Sequence, residues 1–247
     1  MSTRWDEPEV ADGFNAYDDL TERTLGYPTV FRALRLEDPD VREVLDFGCG
    51  PGKVAQRVVN IYGKQVTAVD GSPPMLAIAR ENRADPRIDY RLVENGALPF
   101  VADGAIDTAM SCYVFINIPS LEVISSIVRE VYRVLRPGGR YAILDTNPDT
   151  TGIEFTTFRN GDPGRRYTRG EQRRVLLRQP GGGDMTLLDH HWPKEVYHEV
   201  LTDAGFGSIE MHEPILTDPP ASDEPNQRER WVNEQAKPPF LIVVGEK

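Results

Sequence analysis

Two short segments, residues 44–52 and 66–70, constrain the fold of this chain more than any others. The first is an apolar run that leads into a turn with three alternate glycines, Gly48, Gly50 and Gly52. The second apolar run ends in the carboxylate of Asp70. Glycines let a backbone approach a ligand closely, and a helix that starts after the turn adds free N–H donors. An acid at the tip of the neighbouring strand can accept the hydroxyls of a ribose. The pair therefore predicts a nucleotide site at the carboxyl edge of a parallel sheet.

The spacing of the glycines indicates which nucleotide binds. A dinucleotide-binding turn has the pattern G-x-G-x-x-G, whereas this turn has glycines at every second position and Asp46 in front of them. The spacing disfavours a nicotinamide-dependent oxidoreductase. A phosphate-binding P-loop is also disfavoured, because Lys53 is not followed by Ser or Thr.

Four segments in order resemble the motifs of the class I S-adenosylmethionine-dependent methyltransferases. They are residues 46–52 (motif I), 70–79 (after the ribose-binding acid), 95–100 (the adenine-side loop) and 134–140 (the turn into strand five). The resemblance covers residues 41 to 146. It implies S-adenosyl-L-methionine as cofactor, S-adenosyl-L-homocysteine as product, and a mostly parallel seven-stranded α/β sheet whose last strand is antiparallel.

Alternating apolar runs predict the same organisation. The expected strands are near 42–46, 65–70, 88–93, 107–112, 140–146 and 208–216, with a last one at 240–244. The expected helices are near 53–61, 74–82, 120–135 and 193–204. Between residues 149 and 192, two strands at 171–179 and 184–192 flank a glycine-rich turn, which predicts an inserted β-hairpin. Residues 217–238 read as a Pro-rich polar loop.

These elements predict a single domain over residues 1–247. Its parts are an N-terminal helical lid (1–40), a cofactor-binding core (41–146), an acceptor-side cap insertion (147–192) and the rest of the sheet (193–247).

The resemblance also implies which residues bind the cofactor. Asp70 would bind the ribose hydroxyls, and Asp46 would lie near the methionine portion. The full set is Tyr17, Asp46, Gly48, Cys49, Gly50, Gly52, Asp70, Gly71, Met75, Glu94, Asn95, Gly96, Ser111 and Cys112. Met75 is equally compatible with a core position, and Tyr17 with packing of the lid. Glu94 stands where relatives often carry Asp. Its side chain is longer by one methylene, so a contact with the adenine amino group requires that the site accommodate the longer side chain.

An acceptor that must lose a proton needs a base, and histidine titrates near neutral pH. His190 and His191 end the predicted hairpin, and successive strand side chains point to opposite faces, so at most one of them faces the acceptor. The sequence favours His191, with a structural strand histidine as the alternative for both. The expected acceptor contacts are Tyr113, Asn147, Phe158, Tyr167 and Trp192.

The net charge and the number of cysteines indicate which partners and which compartment to expect. The net charge of −11 disfavours a nucleic-acid surface, and only two cysteines favour a reducing compartment. The sequence has no long apolar run and no signal-peptide core near its start, so we expect a cytoplasmic protein with no membrane partner. No metal site is expected, and a homodimer is compatible with the sequence.

The short cap and acidic surface favour a small-molecule acceptor, and the Arg-, Pro- and Gly-rich composition is compatible with bacterial specialised metabolism. Oxygen, nitrogen and carbon acceptors all stay open. The alternatives are a protein or nucleic-acid methyltransferase of the same fold and a non-catalytic module that binds S-adenosylmethionine.

Overall fold

A computed structural model describes residues 3–218, 220 and 230–247 of the chain. The strands of this described part are β1 Glu43–Phe47, β2 Gln65–Asp70, β3 Ile88–Leu92, β4 Ile106–Cys112, β5 Leu135–Thr146, β6 Phe158–Asn160, β7 Gln172–Arg178, β8 Asp184–His190, β9 Ser208–His212 and β10 Phe240–Glu246. Its α-helices are α1 Pro8–Ala16, α2 Tyr27–Ala33, α3 Lys53–Tyr62, α4 Pro73–Asn82, α5 Leu121–Val134, α6 Lys194–Ala204 and α7 Val232–Ala236. A π-helix spans Glu22–Gly26, and 3₁₀ turns span Phe115–Asn117 and Pro148–Thr150.

The main sheet has seven strands in the order β3-β2-β1-β4-β5-β10-β9. The first five are parallel to one another, whereas β10 is antiparallel to both β5 and β9. The predicted seven-stranded sheet with an antiparallel last strand is confirmed. Because β1, β2, β4 and β5 run in the same direction, their carboxyl ends meet at one edge, where the glycine turn lies.

The inserted segment forms a second sheet of three antiparallel strands in the order β6-β7-β8. The predicted hairpin corresponds to β7 and β8, which pair from Gln172 opposite His190 to Arg178 opposite Asp184. The sequence did not reveal β6, because three residues are too few for an alternating pattern. This strand adds Phe158 to the sheet, opposite Leu177. We call these three strands the cap sheet.

Apolar side chains cover both faces of the main sheet. One buried cluster joins the sheet to α2, α3 and the cap sheet, and the other joins it to α5 and α6. Helix α5 buries one face at helical spacing, through Ile124, Ile127, Val128, Val131 and Val134. Its first turn is capped by Ser120, whose hydroxyl accepts the Val123 N–H at 3.3 Å.

Some boundaries differ from the predicted ones. Strand β5 begins at Leu135 rather than near 140, because Leu135 already pairs with Ile106 before an irregularity in the ladder. Strand β9 ends at His212 rather than 216. The predicted polar loop 217–238 contains α7, while residues 219 and 221–229 lie outside the described residues. Across the described residues, no helix is both long enough and apolar enough to cross a membrane.

Candidate active site

The glycine turn after β1 requires glycine for steric reasons. Gly48 has φ +80°, a backbone conformation that L side chains rarely adopt, and a Cβ there would overlap the Val114 side chain. The N–H groups of Gly48 and Cys49 donate to the Val69 carbonyl at 2.7 and 2.9 Å. The turn is therefore held against the end of β2 with its backbone close to the carboxyl edge.

Asp70, at the end of β2, is oriented by backbone donors. Its Oδ2 accepts the Gly50 N–H at 2.7 Å, and its Oδ1 accepts the Ser72 N–H at 2.8 Å. Burial raises the pKa of this carboxyl above its ordinary value, and the backbone hydrogen bonds oppose that rise. The acid is thus fixed to the glycine turn.

A cavity of about 430 Å³ lies between this edge, the N-terminal helices and the inner face of the cap sheet. It brings together most of the residues predicted for the site. Those that line it are Tyr17, Asp46, Gly48, Cys49, Gly50, Asp70, Gly71, Met75, Asn95, Gly96, Cys112, Tyr113 and Phe158.

The cavity is acidic. Among the described residues that line it, the acids are Asp6, Asp19, Glu22, Asp46, Asp70 and Asp189, against one base, Lys53. Asp46 Oδ2 is buried without a hydrogen-bond partner. Burial, and secondarily the charge of Asp70, raises the pKa of Asp46 to about 7. Asp19 is paired with Arg57 at 2.7 Å, and the other acids favour a positively charged ligand.

Three predicted cofactor residues do not line the cavity. Gly52, with φ +82°, is the N-cap of α3 and faces Tyr90 instead. Glu94 is exposed. The Ser111 hydroxyl lies 2.7 Å from the Tyr141 hydroxyl in the buried interior, so only its backbone is left as a possible cofactor contact.

Three predicted acceptor residues also lie elsewhere, because each has a structural partner. The Asn147 side chain donates to Glu213 at 2.7 Å and accepts the Asp149 N–H. The Tyr167 hydroxyl bonds to Asp162, and the Trp192 indole donates to the Phe115 carbonyl at 3.0 Å. Tyr113 and Phe158 are the predicted acceptor residues that do line the cavity.

The prediction that His190 or His191 faces the acceptor pocket is not met, because neither lines the cavity. On β8, alternation directs Leu187 and Asp189 to the cavity and His190 away from it. His191 follows the strand, and its Nδ1 lies 3.4 Å from the Arg173 guanidinium. Burial, and then the charge of Arg173, lowers the pKa of His191 to about 4.

Asp189 and Glu22 are cavity residues that the sequence reasoning did not select. Glu22 accepts the Tyr17 hydroxyl at 2.6 Å, and that hydroxyl lies 2.9 Å from Thr157 Oγ1 next to the cap sheet. Burial raises the pKa of Glu22 to about 7. The sequence offered no signal for Glu22, because its neighbours Thr21, Arg23 and Thr24 are polar as well.

The N-terminal segment crosses the cavity. The Trp5 carbonyl accepts the Ser72 hydroxyl at 2.6 Å, and the Trp5 indole donates to Asn117 at 3.1 Å. Thr3 Oγ1 accepts the Leu188 N–H at 2.7 Å. The segment therefore connects the N-terminus of α4 to the cap sheet.

Comparisons with known proteins agree with this geometry. Residues 44–139 match the family described as "Methyltransferase domain". The chain is 35% identical, over 99% of both sequences, to N-demethylindolmycin N-methyltransferase of Streptomyces griseus. It is 36% identical to a ubiquinone/menaquinone biosynthesis C-methyltransferase of Desulfotalea psychrophila, over 74% of this chain and 72% of that one.

Solved structures share the fold. The CcbJ methyltransferase of Streptomyces caelestis superposes with a TM-score of 0.66 at 17% identity, covering 99% of this chain and 97% of that one. The Streptomyces griseus relative, which matches along the whole chain, supports assignment to a family as well as to a fold. The chain belongs to the class I S-adenosylmethionine-dependent methyltransferases, and S-adenosylmethionine is its cofactor.

Proposed function

We propose that the protein transfers a methyl group from S-adenosylmethionine to a nitrogen atom of a small-molecule acceptor in bacterial specialised metabolism. The observation that carries the proposal is the match along the whole chain to an enzyme named as an N-methyltransferase of a small molecule. The acidic cavity supports it, because a basic nitrogen compound fits an acid-rich lining better than an anionic acceptor does.

The residues at the glycine-turn end fit the cofactor. Asp70 would accept the ribose hydroxyls, and the orphaned Asp46 Oδ2 offers a carboxylate to the charged methionine portion. Asn95 and Gly96 have left-handed backbone and lie with Met75 where the adenine would pack. When bound, S-adenosylmethionine supplies a methyl group on a sulfonium, which is already activated for transfer.

The cap end fits a small apolar acceptor. Phe158, Val175, Leu177 and Leu187 form an apolar wall opposite the sheet edge. Such a wall excludes water and orients the acceptor, and alignment of the acceptor atom with the methyl group is the main requirement of this reaction. The protein therefore contributes chiefly by positioning.

A screen of amine, phenol and keto-acid acceptors, read by mass spectrometry for methylated product, tests the proposal. We expect amines to gain one methyl group with stoichiometric formation of S-adenosylhomocysteine. Methylation confined to phenols or carbon acids would overturn the nitrogen assignment. Cofactor binding without methylation of any acceptor, including polymers, would favour the non-catalytic module, and steeply salt-sensitive binding to a nucleic acid would favour a macromolecular acceptor.

A further inference from the structure

Asp189 is the one acid on an otherwise apolar stretch of the cap wall in the described part of the chain. Along β8, Leu187 and Asp189 point into the cavity, and along β7, Val175 and Leu177 do so. Asp189 is only 3% exposed. A carboxyl group buried in such a wall is costly unless a partner compensates for its desolvation.

The protein supplies no direct partner for this carboxyl. None of the side-chain hydrogen bonds or ion pairs found among the described residues involves the Asp189 carboxyl, although Arg173 stands opposite it in the ladder and its charge opposes the rise in the pKa of Asp189. The Arg173 guanidinium is directed elsewhere, because its Nη2 donates to Thr146 Oγ1 at 2.7 Å and its Nη1 lies beside His191. Within the described part of the chain, the Asp189 carboxyl therefore faces the cavity without a hydrogen-bond partner.

Asp145 provides the contrast. It is also a buried acid and its Oδ1 has no partner among the described residues, but its Oδ2 accepts the Tyr197 hydroxyl at 2.9 Å and it does not line the cavity. Burial raises the pKa of Asp145 well above its ordinary value and raises that of Asp189 to about 7. The first acid has a structural partner and lies away from the cavity, whereas the second faces the cavity, where a ligand can contact it.

We propose that Asp189 binds the acceptor nitrogen and takes up its proton, so that the acceptor class is a basic amine attached to an apolar body. The inference rests on the proposed function. An ammonium group transfers one proton to the Asp189 carboxylate, which leaves a neutral amine and a carboxylic acid. The nitrogen lone pair then forms the N–C bond to the methyl carbon while the C–S bond breaks and its electron pair stays on sulfur. The proton leaves Asp189 for solvent as the methylated ammonium departs.

The test compares amines with their alcohol counterparts. The probes are benzylamine, 2-phenylethylamine and tryptamine, each against the matching alcohol. Binding is measured by calorimetry on the enzyme saturated with S-adenosylhomocysteine, so that the cofactor end is filled. We expect at least one amine to bind about tenfold or more tightly than its alcohol, because a hydrogen bond to a charged group is lost in the alcohol.

Asp189→Asn should remove that preference and leave the affinity for the alcohol unchanged. Asp184→Asn is the matched control, because Asp184 is an exposed acid on the same strand, and it should retain the preference. Asp189→Ser serves the same comparison if the amide variant melts early. The inference is wrong if no amine is preferred by the wild type, or if the preference survives in a folded Asp189 variant.

The two proposals fail separately. Methylation of a phenol or carbon acid that is equally fast in Asp189→Asn would overturn the role of Asp189 and leave a small-molecule methyltransferase. Amine binding that depends on Asp189, without methylation of any acceptor, would support amine recognition and overturn the proposed transfer.

Discussion

The two ends of the cavity are built from different parts of the polypeptide. At the glycine-turn end, the site is shaped by main chain, and its key carboxylate, Asp70, is fixed by the N–H groups of Gly50 and Ser72. At the cap end, the wall consists of alternate side chains on an inserted sheet, such as Leu187 and Asp189. A site shaped by main chain suits one unchanging ligand, whereas a side-chain wall can change residue by residue within the same fold. We infer that acceptor choice depends on the cap sheet.

The largest expected effect concerns the shape of the backbone at the glycine-turn end. Gly48→Ala should lower the free energy of unfolding by about 2–5 kcal/mol, because left-handed strain adds to a clash with Val114. Chemical denaturation measures it. Gly63→Ala is the control: Gly63 has φ +68°, but a methyl group on its Cα would meet no atom within 4 Å, so strain alone should cost about 1–2 kcal/mol. An equal loss of unfolding free energy in the two variants would show that the contact with Val114 adds nothing to the backbone strain.

The next effect concerns the charged contact at the same end. Asp70→Ala should weaken S-adenosylmethionine binding by about 1.5–3 kcal/mol, because hydrogen bonds to a charged group are lost. Calorimetry with the cofactor measures the change. Asp89→Ala removes an exposed acid on β3 that pairs with Arg91 and should leave the affinity unaltered. A normal affinity in Asp70→Ala would refute the ribose assignment.

A smaller effect is expected beside the cap. His191→Ala should leave cofactor affinity intact and lower turnover less than about tenfold, because the ring lies outside the cavity lining and general-base catalysis alone contributes about 100-fold or more. Turnover of an acceptor found in the screen is the measurement. A loss of turnover of a hundredfold or more would restore His191 as the proton acceptor. It would also show that the acceptor site extends beyond the residues that line the cavity wall.

The last effect is a change in pH dependence, and it concerns the contact between the N-terminal helices and the cap sheet. Burial raises the pKa of Glu22 to about 7, so the folded protein holds this proton more tightly than the unfolded chain does. The resulting stability is fully present below the unfolded pKa and is lost as the pH rises through 7. Glu22→Gln should therefore show a shallower decline of unfolding free energy between pH 5 and 7 than the wild type. Parallel curves would show that Glu22 does not titrate in this range.

The glycine-turn end could be predicted from sequence because its geometry demands particular residue types. A left-handed backbone against Val114 requires glycine at position 48, and such a requirement is visible in one sequence. The seven-stranded, mostly parallel sheet was implied by the resemblance that the same motifs carry. Ser111 was predicted as part of this end, but strand alternation directs its hydroxyl to Tyr141 in the interior.

The cap end could not be predicted in the same way. Alternation along β8 separates His190 from Asp189, but the sequence does not state which of the two faces the main sheet. That choice follows from the packing of the cap sheet, including the short β6. Histidine was favoured for its ordinary pKa, whereas burial beside Arg173 lowers the pKa of His191 and burial raises that of Asp189.

The π-helix Glu22–Gly26 has a consequence for changes in chain length. A π-turn accommodates one residue more than an α-turn, and removal of one residue there would restore α-helical spacing. The preceding chain would then rotate by about 100° about the helix axis, which would carry Tyr17 away from Thr157. Chimaeras that exchange N-terminal segments between relatives must therefore preserve the residue count of this turn, even where the residues themselves differ.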